Sequence, residues 1–240
     1  MKRTDLPRAE ALCAQYLNKA QRVLAAVSGG ADSMCLLYFL REQGYDVSCA
    51  HFNHRLRGEE AVRDEEFVRA WCEKEGIPFY SGSSDVRAHA RKTGKTVEEA
   101  ARDLRYAFLR ETAKKLNAQL TLAHHADDNA ETVLLNLVRG TDLHGLCGMR
   151  PKQGDLVRPF LEQTRAELAA YAHSHNIPHV EDRTNADPNA AARNFLRLEI
   201  LPRLQTLNPR AGEHIAATAR SLVSLDDSIE RQAEALLTAA

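Results

Sequence analysis

The hydrophobic and polar positions of this chain follow two alternating periods along most of its length. Short continuous apolar runs, typical of buried strands, are followed by longer segments with apolar residues at helical spacing. The predicted strands span residues 23–27, 45–51, 77–81, 119–123 and 156–158. The predicted helices span residues 33–40, 59–75, 96–116, 127–138 and 164–175. This alternation predicts an α/β fold, a parallel sheet with helices on both faces.

Local signals refine the ends of these elements. Two helix starts carry the capping-box pattern, Thr96 with Glu99 and Thr164 with Glu167. Gly76 ends the helix at 59–75. The polar segment 82–95 predicts a loop. In such a fold, ligands bind at the carboxyl ends of the strands. We therefore expect three segments to lie at that edge of the sheet: the residues after 27, the segment 51–57 and the residues after 123.

The pattern changes beyond Pro178. A polar, turn-rich stretch precedes a helix rich in Arg and Leu, and Pro209 marks the end of a domain. From Gly212 onward we predict one long helix whose apolar face lacks a partner. The sequence therefore predicts one domain at 1–210, followed at 211–240 by the start of a truncated C-terminal helical region.

The segment AAVSGGADSMCLL, residues 25–37, joins the first predicted strand to the first predicted helix. Two adjacent glycines let backbone N–H groups converge, and the helix N-terminus adds its own N–H groups and positive dipole end. This predicts an anion site, with phosphate as the usual ligand. The alternative is a tight turn with Ser or Asp as the helix cap. The segment matches neither GxxxxGK[ST] nor GxGxxG.

Composition restricts the functional classes. The chain has 240 residues, 44% of them hydrophobic, and a formal net charge of −1, so its overall charge predicts no polyanionic partner, although basic residues can still cluster locally. Five scattered cysteines without a CxxC pair disfavour zinc, iron–sulfur and dithiol chemistry and fit a reducing compartment. No signal peptide opens the chain and no apolar run approaches ~18 residues, so we expect a cytoplasmic protein without a membrane partner.

The segment AHHADDNAET follows the fourth predicted strand and holds several ionisable groups. Asp127 and Asp128 stand at a helix start, and Glu131 shares a face with Asp128. Acidic residues in a first helical turn often only balance the dipole. With His124 and His125 directly before them at the ligand edge, they also fit a proton-handling or metal-binding cluster. Magnesium with a nucleotide fits better than zinc, because no Cys/His zinc spacing occurs.

Arginines cluster in several stretches. Arg102 and Arg105 are three residues apart on a predicted helix, where Glu98 offers Arg102 an ordinary surface pair. Further basic residues stand in HFNHRLRG (51–58) and at Arg139, Arg193 and Arg197. Together they could form a basic rim for RNA backbone and nucleotide phosphates.

These stretches together resemble a known enzyme family. Residues 28–33, SGGADS, resemble the SGGxDS pyrophosphate loop of the N-type ATP pyrophosphatases, the PP-loop superfamily. The other stretches that carry the resemblance are HFNHRLR, EEAARDLRY, AHHADDNAETVLLNLVRGTDLHGLCGM, RPFL, EDRTN and RNFLRLEILPRL. Their order and spacing, over about residues 20–210, are similar to those of tRNA(Ile)-lysidine synthetase. Ala191 and His179 depart from the family, which often has an aromatic residue and Trp there.

The resemblance implies an adenine nucleotide α hydrolase-like fold and a ligase reaction. ATP adenylates the C2 carbonyl oxygen of the wobble cytidine of tRNA(Ile). The amine of free L-lysine then displaces AMP and gives lysidine. ATP is therefore implied as a substrate, Mg²⁺ as its metal, and tRNA(Ile) and free L-lysine as partners. The sequence predicts no particular oligomeric state.

The resemblance also implies roles for individual residues. The residues expected to bind ATP are Ser28, Gly29, Gly30, Ala31, Asp32 and Ser33, with Asp32 on Mg²⁺. Arg105, with Arg102, would neutralise the α-phosphate. Asp128 and Glu131 would bind lysine, and one of these carboxylates or His125 would accept its proton. The residues expected to contact tRNA are Arg102, Arg139, Arg193 and Arg197.

Two alternatives stay open. One is a tRNA thiolation enzyme with the same loop, although such enzymes usually carry cysteine pairs. The other is an ATP- and RNA-binding module without catalysis, against which the intact Asp32, Asp128 and Glu131 argue. Family members commonly carry further C-terminal domains that help to select the tRNA.

Overall fold

The computed structural model describes residues 5–56, 58–180 and 192–238. Arg57, Ala191 and the EDRTN stretch (181–185) lie outside the described residues. The chain divides into two compact units. The first comprises Met1–Ala123, Lys152–Pro159 and Ala166–Glu181, and the second His124–Pro151, Phe160–Arg165 and Asp182–Ala240. The predicted domain boundary after residue 210 stays a prediction.

Within the described residues, six strands form one sheet in the first unit. They are β1 (Val23–Ala26), β2 (Val47–Asn53), β3 (Phe79–Ser83), β4 (Gln119–Thr121), β5 (Lys152–Gln153) and β6 (Leu156–Val157). Their order is β3-β2-β1-β4-β6-β5, and every neighbouring pair is parallel except β5 with β6. The predicted parallel sheet is thus confirmed, with one antiparallel edge strand added. β5 has two residues, too few for a hydrophobic period to reveal it.

The helices are divided between the two units. In chain order they are α1 (Pro7–Tyr16), α2 (Ala31–Glu42), α3 (Glu59–Glu75), α4 (Val86–Thr93), α5 (Val97–Leu116), α6 (Ala126–Arg139), α7 (Leu143–Leu146), α8 (Arg165–Ser174), α9 (Ala192–Phe195), α10 (Leu201–Leu207) and α11 (Ala211–Thr238). A π-helical turn, Leu196–Ile200, joins α9 to α10.

Helices cover both faces of the sheet, as the sequence predicts. The β1–α2–β2 and β2–α3–β3 connections run one way across the sheet, and β3–α5–β4 runs back. Right-handed crossovers therefore put α2 and α3 on one face and α5 on the other. Leu24, Leu109 and Leu120 are fully buried in the cluster between α5 and the sheet. Burying one such leucine contributes about 1.5–3 kcal/mol.

The order of the strands determines where ligands bind. β1 lies between β2 and β4, so the connections that leave the two sides of β1 run in opposite directions. This is the topological switch point of the sheet, the usual ligand position in open α/β folds. The loop at residues 28–33 follows β1 and so opens at this point.

The segment predicted as a polar loop, 82–95, instead contains α4. Asp85 caps this helix by accepting a hydrogen bond from the N–H of Ala88 at 2.9 Å, and Gly94, with φ +68°, ends it. Val86 and Ala90 are buried in a small cluster with Ala100 of α5. The prediction was wrong because an eight-residue helix with two buried apolar positions has too little apolar periodicity to be recognised.

The capping box at the start of α5 is confirmed. The N–H of Glu99 donates to Thr96 Oγ1 at 3.2 Å, and the N–H of Thr96 donates to Glu99 Oε2 at 2.9 Å.

The following strand, β4, ends at Thr121, two residues earlier than predicted.

In the second unit, α11 confirms the long helix predicted from Gly212. It packs against α6 and α7 and buries Ala216, Ala219 and Asp226. The expectation that its apolar face lacks a partner was therefore wrong for the part of the helix up to Asp226. Asp226 accepts hydrogen bonds from Arg150 (2.7 Å) and contacts His144 Nδ1 (2.9 Å), which links α11 to α7 and the segment after it.

All five cysteines are buried and no disulfide joins them. None of the helices that the described residues form is long and apolar enough to cross a lipid bilayer.

Candidate active site

The loop at residues 28–33 in the first unit requires glycine at one of its two glycine positions. Gly29 has φ +101°, a conformation that L side chains rarely adopt. A Cβ on Gly29 would lie 2.8 Å from Val180 Cγ2 and 3.4 Å from Val68 Cγ2. The carbonyl of Gly29 also accepts a hydrogen bond from the N–H of Val180 at 3.0 Å. Close packing of Val68 and Val180 against Gly29 therefore fixes the loop.

Serine hydroxyls close the loop on itself. Ser33 Oγ accepts a hydrogen bond from the N–H of Ser28 at 3.1 Å and donates to the carbonyl of Gly30 at 2.9 Å. Gly30 is the N-cap residue of α2 and has no side chain to cap it. The first N–H groups of a helix need partners, and phosphate oxygens are suitable ones. The geometry of this loop therefore fits an anion site.

His51 supports the loop from the neighbouring strand. Its Nδ1 lies 2.9 Å from the carbonyl oxygen of Val27, the residue directly before the loop. His51 lies inside β2, is 4% exposed, and its burial lowers the pKa of the imidazole. The ring is therefore neutral at pH 7, with Nδ1–H donating to Val27. His51 thus holds the end of β1 rather than reaching into the ligand edge.

Arginines surround Tyr106 in the first half of α5. The guanidinium carbons of Arg102 and Arg105 lie 4.9 and 5.4 Å from the centre of the Tyr106 ring. Arg158 directly follows β6 and is 4% exposed; burial lowers its pKa, and Tyr106 opposes that shift. Sequence analysis assigned no role to Arg158. Its position at the carboxyl end of a strand was the available signal.

A second cluster lies at the start of α6, in the second unit. His125 is the N-cap: its Nδ1 accepts a hydrogen bond from the N–H of Asp128 at 3.4 Å, and Asp128 Oδ2 accepts one from the N–H of His125 at 3.0 Å. His125 is 3% exposed. The side chains of His125 and Asp128 thus have a structural role in addition to any chemical one.

Arg197 joins the two carboxylates predicted to bind lysine. Its Nε donates to Glu131 Oε1 at 2.6 Å, and its Nη2 donates to Glu131 Oε2 at 3.0 Å and to Asp128 Oδ1 at 3.2 Å. Glu131 is fully buried, and burial raises the pKa of its carboxyl group while Arg197 opposes the rise. Sequence analysis assigned Arg197 to tRNA. That role and the lysine-binding roles of Asp128 and Glu131 stay predictions.

Two of the other three arginines predicted to contact tRNA, Arg139 and Arg193, lie on or contact α6. Arg193 donates to Thr132 Oγ1 at 2.6 Å and so contacts α6 one residue beyond Glu131. Arg139 is exposed in the last turn of α6.

A small cavity of about 190 Å³ opens beside this cluster. It is lined by His125, Asp127, Glu131, Arg165, Arg197, Leu201 and Gln205. The N–H of Arg165 donates to Asp127 Oδ2 at 2.8 Å, a contact within the second unit. Carboxylates and guanidinium groups thus line the same cavity, which is smaller than the ~300–1,000 Å³ of drug-sized pockets.

The donor groups at residues 28–33 fit magnesium only together with a nucleotide. Asp32 supplies one carboxylate in the first turn of α2. Among the described residues, the group of three ligand side chains that lie close together is His144, Asp226 and Glu230, without Asp32. Magnesium commonly takes one or two carboxylates and completes its shell with phosphate oxygens and water. Asp32 matches that arrangement.

Comparison with known proteins identifies the family. The sequence profile described as "PP-loop domain" matches residues 3–204. The chain belongs to the PP-loop family. The resemblance drawn from the sequence is therefore confirmed. We call the SGGADS segment, residues 28–33, the phosphate loop after the binding role predicted for it, which stays a prediction.

The chain is also similar to curated tRNA(Ile)-lysidine synthases. It is 42% identical over 209 residues to that of Parabacteroides distasonis, covering 87% of this chain and 48% of that protein. It is 41% identical over 220 residues to that of Thermotoga maritima, covering 90% and 53%. The chain thus spans about half the length of the curated relatives that it matches.

Solved structures show the same fold in more distant proteins. The U34-tRNA thiolase NcsA of Methanococcus maripaludis, with its [4Fe-4S] cluster, superposes with a TM-score of 0.73 at 16% identity, covering 91% of this chain and 79% of that one. The NH3-dependent NAD synthetase of Campylobacter jejuni gives 0.51 at 15% identity, covering 91% and 94%. At these identities the likeness concerns the fold alone.

Proposed function

We propose that this chain carries the catalytic part of a tRNA(Ile)-lysidine synthase. It would use ATP to adenylate the wobble cytidine of tRNA(Ile) and then join free L-lysine to C2, releasing AMP and pyrophosphate. The observation that carries this proposal is the identity of 41–42% to tRNA(Ile)-lysidine synthases over 87–90% of the chain. A protein of this function would be a carbon–nitrogen ligase.

The phosphate loop would bind the leaving pyrophosphate. Charge develops on that group as the α-phosphate is attacked, and pre-oriented N–H groups stabilise developing charge without reorganisation. Asp32 would hold Mg²⁺, which when bound neutralises phosphate charge. Arg105 is the proposed partner of the α-phosphate, with Arg102 beside it around Tyr106.

The cavity beside α6 would bind lysine. Free lysine carries two ammonium groups and one carboxylate, and the cavity offers both carboxylates and guanidinium groups in a volume too small for a nucleotide. Glu131, which lines the cavity, and Asp128, which shares Arg197 with it, would attract an ammonium group.

A carboxylate is also the better candidate for the proton acceptor. His125 uses Nδ1 to cap α6. The raised pKa of Glu131 brings that group nearer to the range in which a general base works at neutral pH.

The thiolation alternative finds less support in the chain itself. All five cysteines are buried thiols. The cysteines Cys13, Cys35 and Cys49 have pKa values raised by burial or by a neighbouring thiol, which keeps them protonated and unreactive.

The reaction can be tested with a transcript of tRNA(Ile), Mg²⁺, ATP and radiolabelled lysine. We expect lysine to become covalently bound to the RNA, with one AMP and one pyrophosphate formed for each lysine. Asp32→Ala should abolish both products. Arg41→Gln, an exposed change at the far end of α2, should leave both unchanged. Cleavage of ATP without transfer of lysine to the RNA would contradict the proposal.

A further inference from the structure

The helix that sequence analysis missed, α4, has a strongly basic outer face. The segment 86–95 carries four Lys or Arg residues and no Asp or Glu, whereas the whole chain has a net charge of −1. Lys95 is paired with Asp103 at 2.5 Å. The other three, Arg87, Arg91 and Lys92, are exposed. We call these three residues the basic face of α4.

No ion pair joins the basic face to a carboxylate among the residues that the structure describes. Lys95 pairs with Asp103, whereas the ion pairs of the described residues include none of Arg87, Arg91 and Lys92. Arg87 and Arg91 are four residues apart on a helix, a spacing at which like charges destabilise the helix by a few tenths of a kcal/mol. Arg91 and Lys92 stand in the last turn of α4, where the helix dipole favours positive charge and partly offsets this cost. A helix dipole alone does not explain Arg87, which stands in the first turn.

α4 has a defined start and end even though it is short. Asp85 caps its start, Gly94 ends it, and Val86 and Ala90 are buried against Ala100 of α5. The three cations are therefore presented from a helical backbone.

The position of α4 in the first unit puts this charge at the ligand edge. β3 ends at Ser83, and α4 begins three residues later, at the carboxyl end of that strand. β3 lies two strands from β1, a separation of about 10 Å at ordinary strand spacing. The phosphate loop follows β1 at the same edge.

We propose that the basic face of α4 is a docking surface for the phosphate backbone of RNA. This inference rests on the proposed function only in taking tRNA as the RNA. A negatively charged membrane surface is the other polyanion to consider, but interfacial helices insert an apolar face. The apolar side chains of α4, Val86 and Ala90, are buried beneath α5 and unable to insert.

The test is a salt titration of tRNA binding in the absence of ATP and lysine. The variant is the triple substitution Arg87→Gln, Arg91→Gln and Lys92→Gln, which removes charge and keeps good helix formers. Each phosphate contact that is lost reduces the magnitude of the negative slope of log K against log salt by about 0.7–0.9. The loss of three contacts should make the slope shallower by about 2–3 and weaken tRNA binding about 100- to 500-fold at 0.1 M salt.

A matched control separates local contacts from the change in net charge. Arg41→Gln, Lys74→Gln and Lys114→Gln also remove three exposed positive charges, but from the last turns of α2, α3 and α5, at the amino edge of the sheet. A slope lowered by at least about 0.7 more than in the control supports the docking surface. A slope equal to that of the control overturns it.

Two further measurements complete the test. Thermal unfolding of the triple variant should match that of the wild type, since all three side chains are exposed. Vesicles containing phosphatidylserine serve as the membrane probe, and loss of vesicle binding with unchanged tRNA binding would overturn the proposal. If the wild type transfers lysine to tRNA(Ile) and the triple variant keeps the wild-type slope, this inference fails and the proposed function stands. If the wild type transfers no lysine, the proposed function fails independently.

Discussion

Alanine should have different effects at the two adjacent glycines of the phosphate loop: lower stability at Gly29 and weaker nucleotide binding at Gly30. Gly29→Ala puts a side chain at φ +101° and a Cβ 2.8 Å from Val180 Cγ2. The backbone strain costs about 1–3 kcal/mol, and the overpacking costs about 1–3 kcal/mol. For a chain of this size, 1 kcal/mol lowers the melting temperature by about 2–4 °C. We therefore expect Gly29→Ala to unfold at least about 4 °C below the wild type.

Gly30→Ala should leave the fold intact and impair nucleotide binding. Gly30 has φ −72°, and its added Cβ would meet only Ser28 Oγ, at 3.7 Å. Replacing glycine at an N-cap by alanine costs about 1 kcal/mol, and the stiffer unfolded chain returns about 0.4–1 kcal/mol. The melting temperature should therefore stay within about 2 °C of the wild-type value. The new methyl group stands at the helix N-terminus, where a phosphate must approach.

Two measurements on each variant test this reasoning. Calorimetric unfolding without ligand gives the stability, and isothermal titration with ATP and Mg²⁺ gives the affinity. For Gly30→Ala we expect binding of ATP at least about tenfold weaker, a loss of about 1.4 kcal/mol. Wild-type ATP affinity in Gly30→Ala would refute the assignment of the phosphate site. A wild-type melting temperature in Gly29→Ala would refute the packing argument.

Two further predictions concern Glu131 and His51. Glu131→Gln should weaken lysine binding by about 10- to 150-fold, because it removes a charge-assisted hydrogen bond of about 1.5–3 kcal/mol. Adenylated tRNA should still form from α-labelled ATP without lysine. If none forms, lysine binding is the wrong role for Glu131. Burial lowers the pKa of His51, so below its unfolded pKa of about 6.5 the unfolded chain takes up a proton that the folded chain resists. Stability should therefore fall as the pH falls from 7 to 5, and His51→Asn, which does not titrate, should show a smaller fall in urea unfolding; equal falls would contradict the assignment.

The sequence was sufficient for the parts of the fold that depend on local chemistry. The SGG turn of the phosphate loop, the Thr96–Glu99 capping box and the buried strand at β1 are all signals within a few neighbouring residues. The turn at residues 28–33 was recognisable for the same reason, because its glycines and serines act on backbone groups nearby; its binding of phosphate stays a prediction.

Contacts between distant residues were not accessible in this way. Arg197 is 66 residues from Glu131, and nothing in either neighbourhood marks them as partners. The same holds for Gly29 and Val180, whose close packing decides why glycine is needed at that position. α4 was missed for a different reason, since its apolar side is only two residues wide and its polar composition is that of a loop.

The separate apolar cluster under α4 has a consequence for the order in which the first unit opens. Val86, Ala90 and Ala100 form a cluster distinct from the one around Leu24 and Leu120. A segment held by so few apolar contacts opens at a lower free energy than the sheet, without unfolding of the whole chain. The amides of α4 should therefore exchange with deuterium well before those of β1 and β4. Bound polyanion would slow that exchange selectively, so that the helix itself reports when its outer surface is occupied.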